Sequence, residues 1–133
     1  IAQALEGEHL QLGSLTPVRD FLFVRDTARG FLAAATADGV LGEVLNLETG
    51  VGVTIGDVVE RVGKQLGQTL RVTTKDDRLR PEKSEVLQLL CSAAKMHRLT
   101  GWSPTVDLDA GLAETIDWIR RHRDRFRPQS YAV

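Results

Sequence analysis

This chain has one cysteine, Cys91, so no internal disulfide can staple it and no CxxC pair can hold a metal or run redox exchange. No run approaches the roughly 18 consecutive apolar residues of a membrane-spanning helix, and no signal-like segment opens the sequence. An excess of charge of one sign is missing as well. The 17 Lys and Arg residues face 18 Asp and Glu, net −1, which leaves no overall field to gather nucleic acid or an anionic membrane. The expectation is a cytoplasmic protein with no nucleic-acid or membrane partner, in which any anion is held locally. Catalytic motifs are equally sparse. HExxH, GxSxG and GxxxxGK[ST] are absent, and His9, His97 and His122 stand apart with no carboxylate at a telling spacing. Each histidine therefore reads as a surface or helix-flank residue, since a metal or catalytic site needs convergent partners.

What is present fits one domain, residues 1–133, with 42% apolar and 26% charged residues. Runs rich in Val, Leu and Phe predict short strands at Leu10–Leu12, Phe21–Val24, Val44–Leu47 and Leu70–Thr73. The stretches FLFV and EVLNL are apolar almost throughout, as strands covered on both faces of a parallel sheet are. Between them, RDTARGFLAAATADG predicts a helix with Ala28, Phe31, Leu32 and Ala35 turned inward and Gly39 as its stop. In TIGDVVERVGKQLG, Thr54 caps a second helix, Asp57 stands at the capping-box position, and Ile55, Val58, Val59, Val62 and Leu66 share one face. SAAKMHRLTGW predicts a short helix capped by Ser92, closed by Gly101, with Ala93, Met96 and Leu99 inside. The last helix opens at Asp107 or Asp109, buries Leu112, Ile116 and Ile119, and carries arginines at its C-terminal end, where they complement the helix dipole. The opening IAQALEG reads as the last turns of a helix ending at Gly7. Strands alternating with helices give an α/β class.

Two features are candidates for binding. The turn NLETGVGVTIGDV places Gly50, Gly52 and Gly56 ahead of a helix N-terminus, where backbone amides can cradle phosphate. Its spacing is not GxGxxG, and Glu48 would repel an anion. The plainer reading is a strand-to-helix turn with Gly50 and Gly52 at positive backbone angles. The arginines are stronger candidates. Arg19 precedes an apolar run, and Arg80 precedes Pro81, which holds the residue before it extended and so fixes where the guanidinium points. Two guanidinium groups can grip a diphosphate with paired hydrogen bonds. On spacing alone, the plainer reading is that both arginines are solvated or paired with neighbours such as Asp20 or Glu82.

The segments LGSLTPVRDFLFVRDTARGF, GEVLNLETGVGVTIGDVVERV, RLRPEKSEVLQLL and KMHRLTGWSPTVDLDAGLAETIDWI, in that order, resemble the C-terminal part of the extended short-chain dehydrogenases/reductases, the NAD-dependent sugar-nucleotide epimerases and dehydratases. The likeness is nearest to bacterial UDP-N-acetylglucosamine 4,6-dehydratases of the legionaminic acid type. It implies a partial Rossmann-like sheet, its last strands and helix, joined to a small α/β substrate-binding lobe. It also implies a UDP-sugar as partner. Arg19 and Arg80 would sit on the diphosphate, Glu85 (or Glu82) on the ribose, and the backbone at Leu12 and Gly13 beside the base. The family binds NAD through a GxxGxxG turn and acts through a YxxxK pair, and this sequence contains neither. The expectation is a chain that binds no cofactor by itself, lacks catalytic residues and lacks the NAD-binding half. It would pair with that half or form a homodimer through exposed sheet edges, as a noncatalytic assembly module. Three positions depart from the family pattern, which has Gly where this chain has Glu48, and Asp and Ser where it has Ser92 and Ala94.

Overall fold

A computed structural model describes residues 1–74 and 86–128. The chain divides into two compact units, each assembled from separated segments. The first comprises Ile1–Pro17, Thr54–Leu87 and Leu112–Val133, and the second comprises Val18–Val53 and Gln88–Gly111.

In the first unit a 3-10 turn, Gln3–Leu5, leads into strand β1, His9–Leu12. Helix α2, Ile55–Leu66, connects to β4, Arg71–Thr74, and β1 pairs with β4 in parallel, His9 opposite Arg71 and Leu12 opposite Thr74. A parallel pair needs such a crossover, because its strands run the same way and a tight turn cannot join them. The start of α2 follows the sequence signal. The Thr54 hydroxyl accepts the Asp57 N–H at 2.9 Å and the Asp57 carboxylate accepts the Thr54 N–H at 2.8 Å, a reciprocal capping box. These hydrogen bonds hold the exposed Asp57 carboxyl below its ordinary pKa. Ala4, Leu10, Val62, Leu112 and Ile116 are buried. The remaining apolar face of α2, Ile55, Val58 and Val59, lines a cavity of about 370 Å³ together with Leu10, Leu12 and Leu70.

In the second unit, β2 (Val18–Asp20) lies between β3 (Gly52–Thr54) and β5 (Gln88–Leu89). β2 and β5 are parallel, with Arg19 opposite Leu89. Helix α1 spans Val24–Thr36 and α3 spans Ala94–Thr100; α4, Leu108–Arg121, starts here and continues into the first unit. Gly101, at φ 72°, closes α3 as expected, and Asp107 opens α4 by accepting the Ala110 N–H at 2.8 Å. Met96 and Trp102 form the apolar centre.

Several sequence expectations fail. The strand expected at Phe21–Val24 lies three residues earlier, because pairing with β5 selects Val18–Asp20 and Phe23 is already the extended residue ahead of α1. Val44–Leu47 forms no ladder with another described residue. It does keep the alternating burial of a strand, with Leu45 and Leu47 half-buried and Val44 and Asn46 exposed. Leu47 packs where a Gly30 Cβ would stand, 2.6 Å from its Cδ2, so a larger residue at Gly30 would require the Leu47 side chain to shift. The inner face expected for α1 is its outer one: Ala28, Phe31, Leu32 and Ala35 are exposed, while Asp26 and Gly30 are buried. Periodicity identifies an apolar stripe but not what covers it. Lastly, the N-cap position of α3 is Ala93 and not Ser92, although the Ser92 hydroxyl accepts the Ala94 N–H at 3.3 Å from one residue earlier.

Candidate functional site

Arg19 is partly buried on β2, and its Nη1 donates to the Val18 carbonyl oxygen at 2.8 Å. Its neighbour Asp20 serves the glycine turn. The Asp20 carboxylate accepts the Thr49 N–H (3.0 Å), the Thr49 hydroxyl (2.8 Å) and the Gly50 N–H (2.8 Å). Two amides of the glycine turn are thus held by a carboxylate of the protein itself, which matches the plainer reading of the turn. Gly50 takes φ 80°, whereas Gly52 lies in β3 without a positive angle, contrary to expectation.

Glu48 also has a role that sequence reasoning missed. It is buried, and its carboxylate accepts the Cys91 N–H at 3.1 Å and the Ala93 N–H at 2.9 Å, so it holds from a distant loop the segment that leads into α3. Partial burial of the Cys91 thiol, the Glu48 carboxylate beside it and the charge of Asp20 all push the thiol pKa up. Cys91 is exposed as a residue but is a poor nucleophile, since the thiolate is the reactive form. Glu48→Gln is therefore expected to speed alkylation of Cys91 by iodoacetamide near neutral pH, measured by mass spectrometry. An unchanged or slower rate would contradict the assignment.

The third carboxylate is Asp26, in the first turn of α1 and fully buried. It accepts the Thr105 N–H, the Thr105 hydroxyl and the Val106 N–H, each at 2.9 Å, and Arg29 Nη1 at 2.7 Å. The Trp102 indole N–H donates to the Asp26 backbone oxygen at 3.1 Å. Burial alone would raise the Asp26 pKa, but the amides of Thr105 and Val106, the Thr105 hydroxyl and the Arg29 charge together hold it below the ordinary value. Asp20, Glu48 and Asp26 thus tie the loops of the second unit to its strands and helices.

Leu12 is the last residue of β1, paired with Thr74, and Gly13 is the bend that follows it. Both belong to the first unit and Arg19 to the second. Arg80, Glu82 and Glu85 lie outside the described residues. Their segment follows β4 in the chain and precedes β5, the strand paired with that of Arg19. His97 and His122 are helix-flank residues as expected: His97 Nδ1 lies 3.0 Å from the Ser103 hydroxyl, and His122 Nδ1 lies 2.8 Å from the Trp118 carbonyl oxygen. No group of three or more His, Cys, Asp or Glu side chains able to hold a metal occurs among the described residues. No helix among them is long and apolar enough to cross a membrane.

Residues 1–115 match the family described as GDP-mannose 4,6 dehydratase. The chain is similar to GDP-L-fucose synthase of Escherichia coli (strain K12), 32% identical over 124 residues that cover 86% of this chain and 37% of the relative. It is also similar to dTDP-glucose 4,6-dehydratase of Streptomyces griseus, 30% identical over 96% of this chain and 38% of the relative. Among solved structures, dTDP-glucose 4,6-dehydratase of Bacillus anthracis in complex with NAD superposes with a TM-score of 0.79 at 28% identity, over 96% of this chain and 40% of that one. UDP-glucuronic acid 4-epimerase of Bacillus cereus, in complex with UDP-glucuronic acid and NAD, gives a TM-score of 0.77 at 28% identity, over 90% of this chain and 38% of that one. The chain thus spans about two-fifths of the length of these relatives, and its fold is the mixed α/β, Rossmann-related one of these enzymes.

Proposed function

The chain belongs to the GDP-mannose 4,6 dehydratase family, among the NAD-dependent sugar-nucleotide epimerases and dehydratases, and from that premise we propose that these 133 residues are its nucleotide-sugar-holding portion. Arg19 and Arg80 grip the diphosphate, Glu85 accepts from the ribose, and the backbone at Leu12 and Gly13 borders the base. The observation that carries this reading is the pairing of β2 with β5, which joins the strand bearing Arg19 to the strand that follows the RPEKSEV segment. A UDP-N-acetylhexosamine is the substrate class, on the likeness of RPEKSEV to the 4,6-dehydratases that act on such sugars.

The residues present do not fit NAD. GxxGxxG is absent from the sequence, and the N–H groups of Thr49 and Gly50, in the glycine turn most suited to a phosphate, are held by Asp20. No redox step is assigned to this chain. Its own chemistry is to hold and orient a dianionic ligand: guanidinium forks match phosphate oxygens and fix the direction of the sugar.

Calorimetric titration tests the proposal with UDP, UDP-N-acetylglucosamine, GDP-mannose and NAD as separate ligands. The expected result is heat with UDP and its sugar, less with GDP-mannose and none with NAD. A folded protein that gives no heat with any nucleotide sugar at millimolar ligand would end it.

A further inference from the structure

Strand β5 is too short to fix its own place. It pairs with β2 over two residues only, Val18 with Gln88 and Arg19 with Leu89, and a slip of one residue turns every side chain of a strand to the opposite face. A buried face normally forbids such a slip, but Gln88, Leu89 and Leu90 are all exposed. A side chain from elsewhere holds the segment instead. The buried Glu48 accepts the Cys91 N–H on Oε2 at 3.1 Å and the Ala93 N–H on Oε1 at 2.9 Å, so its two oxygens take amides from alternate residues. A shift by one residue would offer it the wrong pair: the Ser92 amide with that of Leu90, or with that of Ala94, which the Ser92 hydroxyl already accepts. Glu48 is anchored in its turn, because the N–H groups of the next two residues, Thr49 and Gly50, go to Asp20, the neighbour of Arg19 on β2.

We propose that Glu48 is a positioning residue for the nucleotide-sugar site: its two-pronged hold on Cys91 and Ala93 locks the register of β5 against β2 and so fixes the backbone on which Arg19 stands. This rests on the reading of Arg19 as a phosphate ligand given above. The connection closes on itself within the second unit. From Arg19 it passes to Asp20, across to the turn at Thr49 and Gly50, back one residue to Glu48, across again to Cys91 and Ala93, and along the chain to Leu89, which lies opposite Arg19. Side-chain packing depends on the same register. A Cβ at Gly52 would stand 2.8 Å from Val18 Cγ1 and 3.1 Å from Leu90 Cδ2, so Val18 and Leu90 meet over the glycine, and a slipped β5 would withdraw Leu90 from that contact. Glutamine at position 48 keeps one acceptor oxygen but turns an NH2 group toward the second amide, a donor against a donor.

Amide hydrogen exchange on the full chain, together with calorimetry of UDP and uridine, tests the idea. Glu48→Gln is expected to speed exchange at Cys91 and Ala93 while the amides of α1 keep their protection. The same variant is expected to weaken UDP several-fold and to leave uridine, which has no phosphate, unaffected. In an Arg19→Ala background it should cost no further UDP affinity, because a positioning residue acts through the residue that it positions. A residue that only stabilises the fold would instead cost the same factor in both backgrounds, or nothing in either. If Glu48→Gln does not fold, Glu48→Asp, which keeps the charge on a shorter arm, carries the same comparisons. Wild-type exchange at Cys91 and Ala93, UDP affinity indifferent to position 48, or an equal loss with and without Arg19 would each overturn the proposal. A wild-type chain that gives no heat with UDP would overturn the binding reading and the positioning role together, and exchange at the two amides would then still show whether Glu48 locks the strand, so the two failures are told apart.

Discussion

Asp26→Ala is expected to destabilise the second unit by about 2–4 kcal/mol, mainly through the lost hydrogen bonds of a buried carboxylate, since its ionic partner Arg29 is half exposed and can be solvated. The loss is large because the carboxylate is fully buried and satisfies donors from residues 79 and 80 positions away. Without it the amides of Thr105, an exposed residue, and Val106, a half-buried one, lose their acceptor, each at up to about 1–3 kcal/mol where water cannot replace it. Asp26→Asn keeps one acceptor oxygen and the shape but loses the charge, so it should fall between wild type and alanine. Denaturant melts followed by circular dichroism give these differences. They also carry a pH dependence. Because the folded-state pKa of Asp26 lies below its ordinary value, its stabilisation is present in full above the unfolded carboxylate pKa, about 3.9, and is lost as pH falls through the lower folded value. Asn at this position removes that component, so the variant should lose less stability than wild type as pH falls below about 4. An Asp26→Ala protein as stable as wild type, or an Asn variant with the same acid profile, would show the carboxylate to be dispensable.

Local signals were legible in the sequence because they act over a few residues. The Thr54 and Asp57 capping box, the left-handed Gly101 and the strands at His9–Leu12 and Arg71–Thr74 all stand where periodicity and cap chemistry put them. Long-range use of side chains was not legible. Asp20, Glu48 and Asp26 look like ordinary polar residues in the sequence, yet they receive backbone donors 29, 43 and 79 residues away. Glu48 in a position where the family resemblance leads one to expect glycine was the one available clue. It suggested repulsion of an anion, whereas the structure shows acceptance of two amides. The orientation of α1 failed for a related reason: amphipathic spacing reports that one side is apolar, and the covering element is a property of the assembled fold. The candidate site is only partly placed. Arg19, Leu12 and Gly13 have positions, while Arg80 and Glu85 rest on the order of motifs.

That division makes the double variant Arg19→Ala, Arg80→Ala the decisive test of the proposed site. A charge-assisted hydrogen bond to phosphate contributes about 1.5–3 kcal/mol, so each single variant is expected to weaken UDP binding roughly 10- to 100-fold, since 1.4 kcal/mol corresponds to a factor of ten. If both guanidinium groups grip the same diphosphate, their effects are coupled, and the double variant should differ from the sum of the two singles by more than the few tenths of a kcal/mol expected of independent sites. Uridine, which has no phosphate, supplies the control. Its affinity should be the same for wild type and all three variants, and the variants' affinity for UDP should fall toward that of uridine. Arg19→Lys keeps the charge but not the planar fork, so it should recover only part of the loss. Because Arg19 is partly buried on β2 with its guanidinium on the Val18 carbonyl, each variant also needs a thermal melt, to separate lost binding from a loosened strand. Folded single variants that bind UDP as tightly as wild type, or variants that lose uridine and UDP in equal proportion, would move the phosphate contact to other residues.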